Sequence, residues 1–231
     1  MKPERRMEHT HRIIDLIWKT PNVFELLVER RGLAFTPGDS VAIAHSGGSE
    51  SRPYSMASGA EEEVLRFLIQ VMPNGLVSND LANRQPGDSV LLSAPFGWFH
   101  PGRHSNGRPV VFVATGTGIA PFLSYLRTYP EPAAPVCLYG ARRAEDLLEC
   151  EVLRTGCTEL HLAVSREDHP HYPHGRVTDL LTSLSFATGT HFYLCGLDAM
   201  IEDVTALLEE RGVHFSHIHR EVFFYAAPAQ A

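Results

Sequence analysis

The apolar positions of this chain fall into two unlike patterns, one on each side of a polar stretch near residue 105. In the first hundred residues they come in short, partly alternating runs. "RIIDLIWKT" (12–20) and "VFELLVER" (23–30) flank "PN", which predicts a hairpin. The string "PGDSV" occurs twice, at 37–41 before "AIAH" and at 86–90 before "LLSAP". Pro-Gly suits the two central positions of a type II turn, with a strand launched directly after it. "VLRFLIQV" (64–71) predicts another strand and "GLVSNDLANR" (75–84) one short helix. Many short strands between Pro/Gly turns predict a small antiparallel β barrel.

Past "HPGRHSNGRP" (100–109) the period changes, and apolar strands alternate with amphipathic helices. "VVFVA" precedes "APFLSYLRT", "PVCLYG" precedes "AEDLLECEVLR", "ELHLAVS" precedes "RVTDLLTSL", and "HFYLC" precedes "DAMIEDVTALLEERG". "HIHREVFFY" (217–225) adds a last strand. Four strand–helix pairs and a closing strand predict a five-stranded parallel sheet with helices on both faces. The expected organisation is a barrel domain at 1–105 and an α/β domain at 106–231.

Composition narrows the function. A hydrophobic fraction of 44% over 231 residues suits well-cored domains, and no apolar run approaches the ~20 residues of a membrane span. Net charge is −7 without a Lys/Arg-rich block, which excludes nucleic acid as the expected partner. The start, "MKPERRMEHTHR", has no apolar segment behind it, which predicts a cytoplasmic protein. Cysteines 137, 150, 157 and 195 lack C-x-x-C spacing, so neither a metal site nor a disulfide framework is expected. The histidine-dense "HPHYPH" (169–174) and "HFSHIH" (214–219) lack ligand spacing and predict a polar loop and a half-exposed strand. Only Lys2 and Lys19 among the 20 cationic residues are lysines, so a single arginine is weak evidence in this chain.

Three stretches carry candidate chemistry. In "VVFVATGTGIAPFLSYL" (110–126), Gly116 and Gly118 let a ligand approach the backbone closely, and Pro121 falls where a helix begins. Exposed N–H groups and the positive helix end then suit an anion such as a diphosphate. A plain strand-to-helix turn is equally compatible with that spacing. In "RPYSMAS" (52–58), Arg52 can clamp a phosphate, Tyr54 can stack on a planar ring and Ser55 can hydrogen-bond its edge, though the string also reads as an ordinary loop. In "PNGLVSNDL" (73–81), Ser78 sits at a helix start, again suited to an anion. Trp98 and Phe99 are expected to fill the domain junction or to flank a cofactor.

These stretches, together with "YLCGLDAM" (193–200) and "EVFFY" (221–225), resemble the ferredoxin–NADP(+) reductase family in order and over nearly the whole chain. The resemblance implies a barrel holding FAD and an α/β domain holding NADPH, with NADH possible. Arg52, Pro53, Tyr54 and Ser55, with Gly75, Leu76, Val77 and Ser78, would hold the flavin and its diphosphate. Thr115, Gly116, Thr117 and Gly118, with Cys195 and Gly196, would receive the pyridine nucleotide. Ser55, Cys195 and Glu221 would stand at the reacting centre, and Phe223 or Tyr225 would cover the flavin ring. "AVSRE" (163–167) resembles the Ser-Arg pair that grips the 2′-phosphate of NADP. Arg142, Ser165, Arg166 and Arg176 would form that grip. The implied activity is hydride transfer from NADPH to FAD, then single-electron transfer to a carrier such as ferredoxin or flavodoxin. An oxygenase reductase component, a free-flavin reductase and a non-catalytic electron-relay subunit are the alternatives.

Overall fold

The computed structural model describes residues 7–45, 50–129 and 135–222. The predicted hairpin is β1 (Met7–Thr20) and β2 (Val23–Glu29), paired antiparallel with Leu16 opposite Leu26. It joins β3 (Ser40–His45), β4 (Arg52–Ser55), β5 (Val64–Gln70) and β6 (Ser89–Ser93) in a six-stranded antiparallel sheet of order β4-β3-β6-β1-β2-β5. The chain after β4 crosses between the two ends of that order. Met56 N–H donates to Asp39 O (3.0 Å), and Ala57 N–H donates to Arg66 O of β5 (2.8 Å). The sheet is thereby curled into a barrel, sealed by α1 (Leu76–Ala82) and filled by Phe24, Leu26, Val28, Val41, Ile43, Phe67 and Val90.

Both "PGDSV" strings form the expected turn. Gly38 and Gly87 take φ of 98° and 99°, and Asp39 and Asp88 N–H donate back to Thr36 and Gln85 carbonyls (2.9 and 3.0 Å). Each aspartate also accepts from the backbone N–H of that same Thr36 or Gln85 (2.8 and 2.9 Å), so turn and strand launch are locked together.

The second sheet is parallel, of order β11-β10-β7-β8-β9. Its strands are β7 (Val110–Thr115), β8 (Val136–Ala141), β9 (Glu159–Val164), β10 (His191–Cys195) and β11 (Ile218–Glu221). Alternate residues feed opposite faces. Phe112, Ala114, Tyr139 and Tyr193 face α2 (Ala120–Thr128), α3 (Cys150–Gly156) and the barrel. Val111, Val113, Leu138 and Leu194 face α4 (Val177–Ser183) and α5 (Asp198–Glu210). The first of these cores also takes in Val23, Ala57, Leu68 and Phe99, so it runs through the seam between barrel and sheet. Among the described residues, no helix is long and apolar enough to cross a membrane.

Three details differ from the sequence expectation. "RPYS" is an edge strand rather than a loop, and an edge is where a proline such as Pro53 is tolerated. The helix expected over 144–154 is split into a 3₁₀ turn at Ala144–Asp146 and α3. Leu148 is drawn into the core and its N–H donates to Tyr139 OH (3.3 Å), which leaves Glu149 in the left-handed region at φ 52°. Of the junction aromatics, Phe99 packs on Phe122 and Tyr193, whereas Trp98 is 92% exposed and fills nothing.

Candidate nucleotide and flavin site

Open α/β sheets bind ligands beyond the carboxyl ends of their strands, and here the turn after β7 lies against β5 of the barrel, with Ile119 and Ala120 in one core with Ala57 and Leu68. On β7, Thr115 ends the strand, and Gly116–Ile119 form a 3₁₀ turn that runs directly into α2. No side chain caps either helix start, so the first-turn N–H groups have no intrahelical acceptor. Gly116 holds φ 54° and faces open space where a Cβ would stand. A diphosphate needs uncapped N–H groups beside an open backbone, so these residues fit it. Pro121 occupies the first turn as expected.

The turn is interlocked with a segment 82 residues further along. Thr115 Oγ1 accepts from Leu197 N–H (3.0 Å), and Gly118 lies against the Cys195 carbonyl so closely that no side chain could replace its hydrogen. Cys195 pairs in register with Ala114 on one side and Glu221 on the other. Its thiol is fully buried, and burial, then the charge of Glu221, pushes its pKa well above the ordinary value. This thiol is neutral and serves as a packing surface, not a nucleophile. Burial alone pushes the Glu221 carboxyl up to about 7, so it holds or releases a proton near neutrality.

On the barrel, β4 sets Arg52 and Pro53 in the open, Tyr54 half-buried and Ser55 buried. Among the described residues Arg52 has an exposed contact with Glu50 (3.3 Å), and its Nη1 donates to Ser51 O (3.0 Å). Exposed pairs of this kind contribute about 0–1 kcal/mol, so an arriving anion can take the guanidinium over. Tyr54 leans on the barrel core, and burial pushes its phenol up to about 12, so it stays neutral. Among the described residues the Ser55 hydroxyl makes a long contact to Ser40 Oγ at 3.4 Å.

Ser78 differs from its sequence reading. Its hydroxyl accepts from Met72 N–H (3.1 Å) and donates to Gly75 O (3.4 Å), closing the turn before α1 instead of pointing outward. Val77 belongs to the barrel core, Gly75 is half-buried and Leu76 is 68% exposed. Any anion at this corner would meet the first-turn N–H groups, because α1 has no side-chain cap. Phe223 and Tyr225 lie outside the described residues.

The proposed 2′-phosphate residues converge at the ends of β8 and β9. Ser165 N–H donates to Ala141 O (3.1 Å), Arg166 N–H to Arg142 O (2.9 Å) and Gly175 N–H to Val164 O (2.8 Å), which brings Arg142, Ser165, Arg166 and Arg176 to one rim. All three arginines are exposed. Among the described residues Arg143 pairs with Glu167 (3.8 Å), but no ion pair holds Arg142, Arg166 or Arg176. Sequence reasoning missed a further set, Lys19, Glu25, Glu62, Arg66, Arg127 and Glu149, which crosses the seam. Its members have no motif and lie up to 130 positions apart.

Comparison with known proteins gives the same two parts. Residues 20–100 match the family "Oxidoreductase FAD-binding domain" and residues 112–206 match "Oxidoreductase NAD-binding domain". The chain is 31% identical over 205 residues to the toluate 1,2-dioxygenase electron transfer component of Pseudomonas putida, covering 84% of this chain and 60% of that protein. It is 32% identical over 228 residues to ferredoxin–NADP reductase B of Sorangium cellulosum, covering 87% of this chain and 92% of that one. Its fold is similar to the crystal structure of a ferredoxin NADP+ reductase from Neisseria gonorrhoeae with bound FAD and NADP, at TM-score 0.83 and 23% identity over 92% of this chain and 97% of that one. The chain spans about 60% of the length of the first oxygenase-system relatives it matches.

Proposed function

The chain belongs to the ferredoxin–NADP(+) reductase family, and from that premise we propose that it is an FAD-dependent oxidoreductase that takes a hydride from NADPH and hands electrons singly to a carrier protein such as ferredoxin or flavodoxin. The carrying observation is the interlock at the seam. The open turn at 115–118 and the Cys195–Gly196 segment are fixed against each other, beside Glu221 and within the core shared with the barrel.

Bound FAD supplies the conversion from a two-electron donor to one-electron acceptors. With FAD bound, NADPH would give up a hydride and leave as NADP+, two one-electron carriers would each take one electron, and the hydride's proton would be released to solvent. Arg52 grips the flavin diphosphate with the first-turn N–H groups of Leu76 and Val77, while Gly75 and Ser78 shape that turn. Tyr54 offers its ring to the flavin, Pro53 borders it, and Ser55 donates to its edge. Thr115, Gly116, Thr117 and Gly118 take the pyridine nucleotide, and Cys195 and Gly196 bound the nicotinamide. Glu221 holds a proton at its carboxyl below about pH 7. In this reading residues 1–105 form the flavin unit and 106–231 the nucleotide unit. The four free cysteines suit a reducing compartment such as the cytoplasm.

Arg142, Arg166 and Arg176, with Ser165, favour NADPH over NADH, because exposed arginines at one rim, with no ion pair among the described residues, suit the extra phosphate. A second reading, the reductase component of an oxygenase system, is favoured by the dioxygenase electron transfer components among the relatives. Net charge −7 gives no long-range attraction for an acidic carrier, which also leaves room for that partner. The test is steady-state turnover of the FAD-loaded protein with ferricyanide as a one-electron acceptor. Turnover with kcat/KM at least about tenfold higher for NADPH than NADH is expected, the ratio that about 1.4 kcal/mol of phosphate contact supplies. Equal use of both would remove the arginine grip from the account, and no turnover would contradict the enzyme reading.

A further inference from the structure

Helix α2 carries the nucleotide turn at its amino end, and its carboxyl end is fastened to the barrel. Arg127 Nη1 donates to Ala57 O (2.6 Å), and Thr128 Oγ1 accepts from Ala60 N–H (2.9 Å) while donating to Ser124 O (2.7 Å). Ala57 and Ala60 belong to the run that continues the flavin strand β4. One helix of nine residues therefore runs from the 115–118 turn to the segment that follows β4.

Glu149 completes the fastening. Its Oε2 accepts from Arg127 (2.8 Å) and its Oε1 from Lys19 of β1 (2.8 Å), so one carboxylate joins the barrel to α2. The pair is mostly shielded, with Arg127 15% and Glu149 16% exposed. Lys19 also reaches Glu25 (3.0 Å), and Arg66 bridges Glu25 (3.1 Å) and Glu62 (2.8 Å), which extends the chain of charges along the seam. Glu149 holds φ 52° and ψ 33°, a conformation that residues with a Cβ keep only where the surroundings fix it. Burial acts to raise its carboxyl, but the hydrogen bond and charge of Lys19, then the charge of Arg127, outweigh it and keep the group ionised.

We propose that Glu149 is a positioning residue that sets the placement of the nucleotide turn against the flavin barrel through Arg127 and Lys19. The inference rests on the hydride-transfer reading above. Nine helical residues span about 13 Å, so a tilt of about 4° at the fastening moves the turn by about 1 Å. A misplacement of that size lowers a reaction rate by up to about a hundredfold without removing any binding contact.

The test uses the FAD-loaded full chain under anaerobic rapid mixing with NADPH, beside amide hydrogen exchange over residues 57–60. In Glu149→Gln and Lys19→Met the saturating rate of flavin reduction is expected to fall about tenfold, with the half-saturating NADPH concentration within about twofold. Exchange at Ala60 is expected to quicken in both. Lys19→Arg, which keeps the cation, is expected to retain the rate within about twofold. Glu149→Gly separates positioning from bracing, because glycine relieves the left-handed strain while deleting the carboxylate. It is expected to lose less thermal stability than Glu149→Gln and just as much rate. A saturating rate that tracks thermal stability across the variants, or stays unchanged in both Glu149 variants, would overturn the proposal. If the parent chain is not reduced by NADPH, the functional reading fails instead. Unchanged exchange at 57–60 in Glu149→Gln would still overturn the fastening by itself.

Discussion

Two sets of cations in this arginine-rich chain are treated oppositely. At the seam, Lys19, Arg66 and Arg127 each meet at least one carboxylate, and their partners Glu25 and Glu149 are 3% and 16% exposed. At the rim of the parallel sheet, Arg142, Arg166 and Arg176 are exposed and carry no ion pair among the described residues. Charges satisfied within the fold hold the fold, whereas exposed arginines gathered at one rim, with no ion pair among the described residues, suit the external anion of the proposed function. The seam set should therefore govern stability and geometry, and the rim set should govern which coenzyme is preferred.

The largest effect should come at the rim. Arg142→Ala combined with Arg166→Ala removes two charged contacts of about 1.5–3 kcal/mol each, so NADPH affinity should fall about a hundredfold or more. Titration of the FAD-loaded protein should show NADH affinity unchanged and the melting temperature within about 1 °C. Parallel losses for both coenzymes would erase the contrast between the two sets.

Arg127→Ala should do the reverse. It removes one of the two cations that hold Glu149, leaving Lys19, together with the donor to the Ala57 carbonyl, and should destabilise the chain by about 2–3 kcal/mol. Thermal melts should record a drop of roughly 5–10 °C, with the NADPH-to-NADH preference intact. Salt sharpens the same point more gently. Raising ionic strength from about 0.05 to 0.5 M should weaken NADPH binding several-fold while barely moving the melting temperature, since exposed charges are screened and shielded pairs much less so.

The smallest effect concerns cations that exist only in acid. His219 stacks on Tyr193, and its Nε2 lies 3.0 Å from His191 Nδ1, a contact that works with at most one shared proton. Burial, then the neighbouring His191, holds His219 down to about 4 from 6.5. A histidine depressed in this way binds fewer protons folded than unfolded. Its contribution is complete above pH 6.5 and is lost as pH falls through about 4. Glu221 acts in the opposite sense. Raised from 4.5 to about 7, it contributes below pH 4.5 and loses that contribution as pH rises through about 7. Melting temperatures measured across this range should show a flatter acid limb in His219→Phe and a flatter neutral limb in Glu221→Gln.

Much of the fold was legible because its signals are local. Each "PGDSV" turn is complete within a few residues, and the switch from short strands to strand–helix pairs needs no long-range information. The turn at 115–118 was legible in part for the same reason, since Gly116 and Pro121 answer local backbone demands, whereas Gly118 answers the distant Cys195 carbonyl. Pairing across the seam was not legible. Nothing near Lys19 points to Glu149, and nothing in "AEDLLECEVLR" warns that Leu148 is pulled inward and breaks the helix. Ser78 shows the complementary limit. A serine at a helix start can serve a ligand or its own turn, and only the placement of Met72 decides for the turn. Nothing in the sequence around Arg142, Arg166 and Arg176 shows that Glu167 pairs with the neighbouring Arg143 instead.

The most direct measurement is the visible spectrum of the FAD-loaded protein before and after anaerobic addition of one equivalent of NADPH, with NADH in parallel. The account predicts a yellow protein whose flavin bands bleach promptly with NADPH and more slowly with NADH. A protein that takes up no FAD, or whose colour survives NADPH, would contradict it.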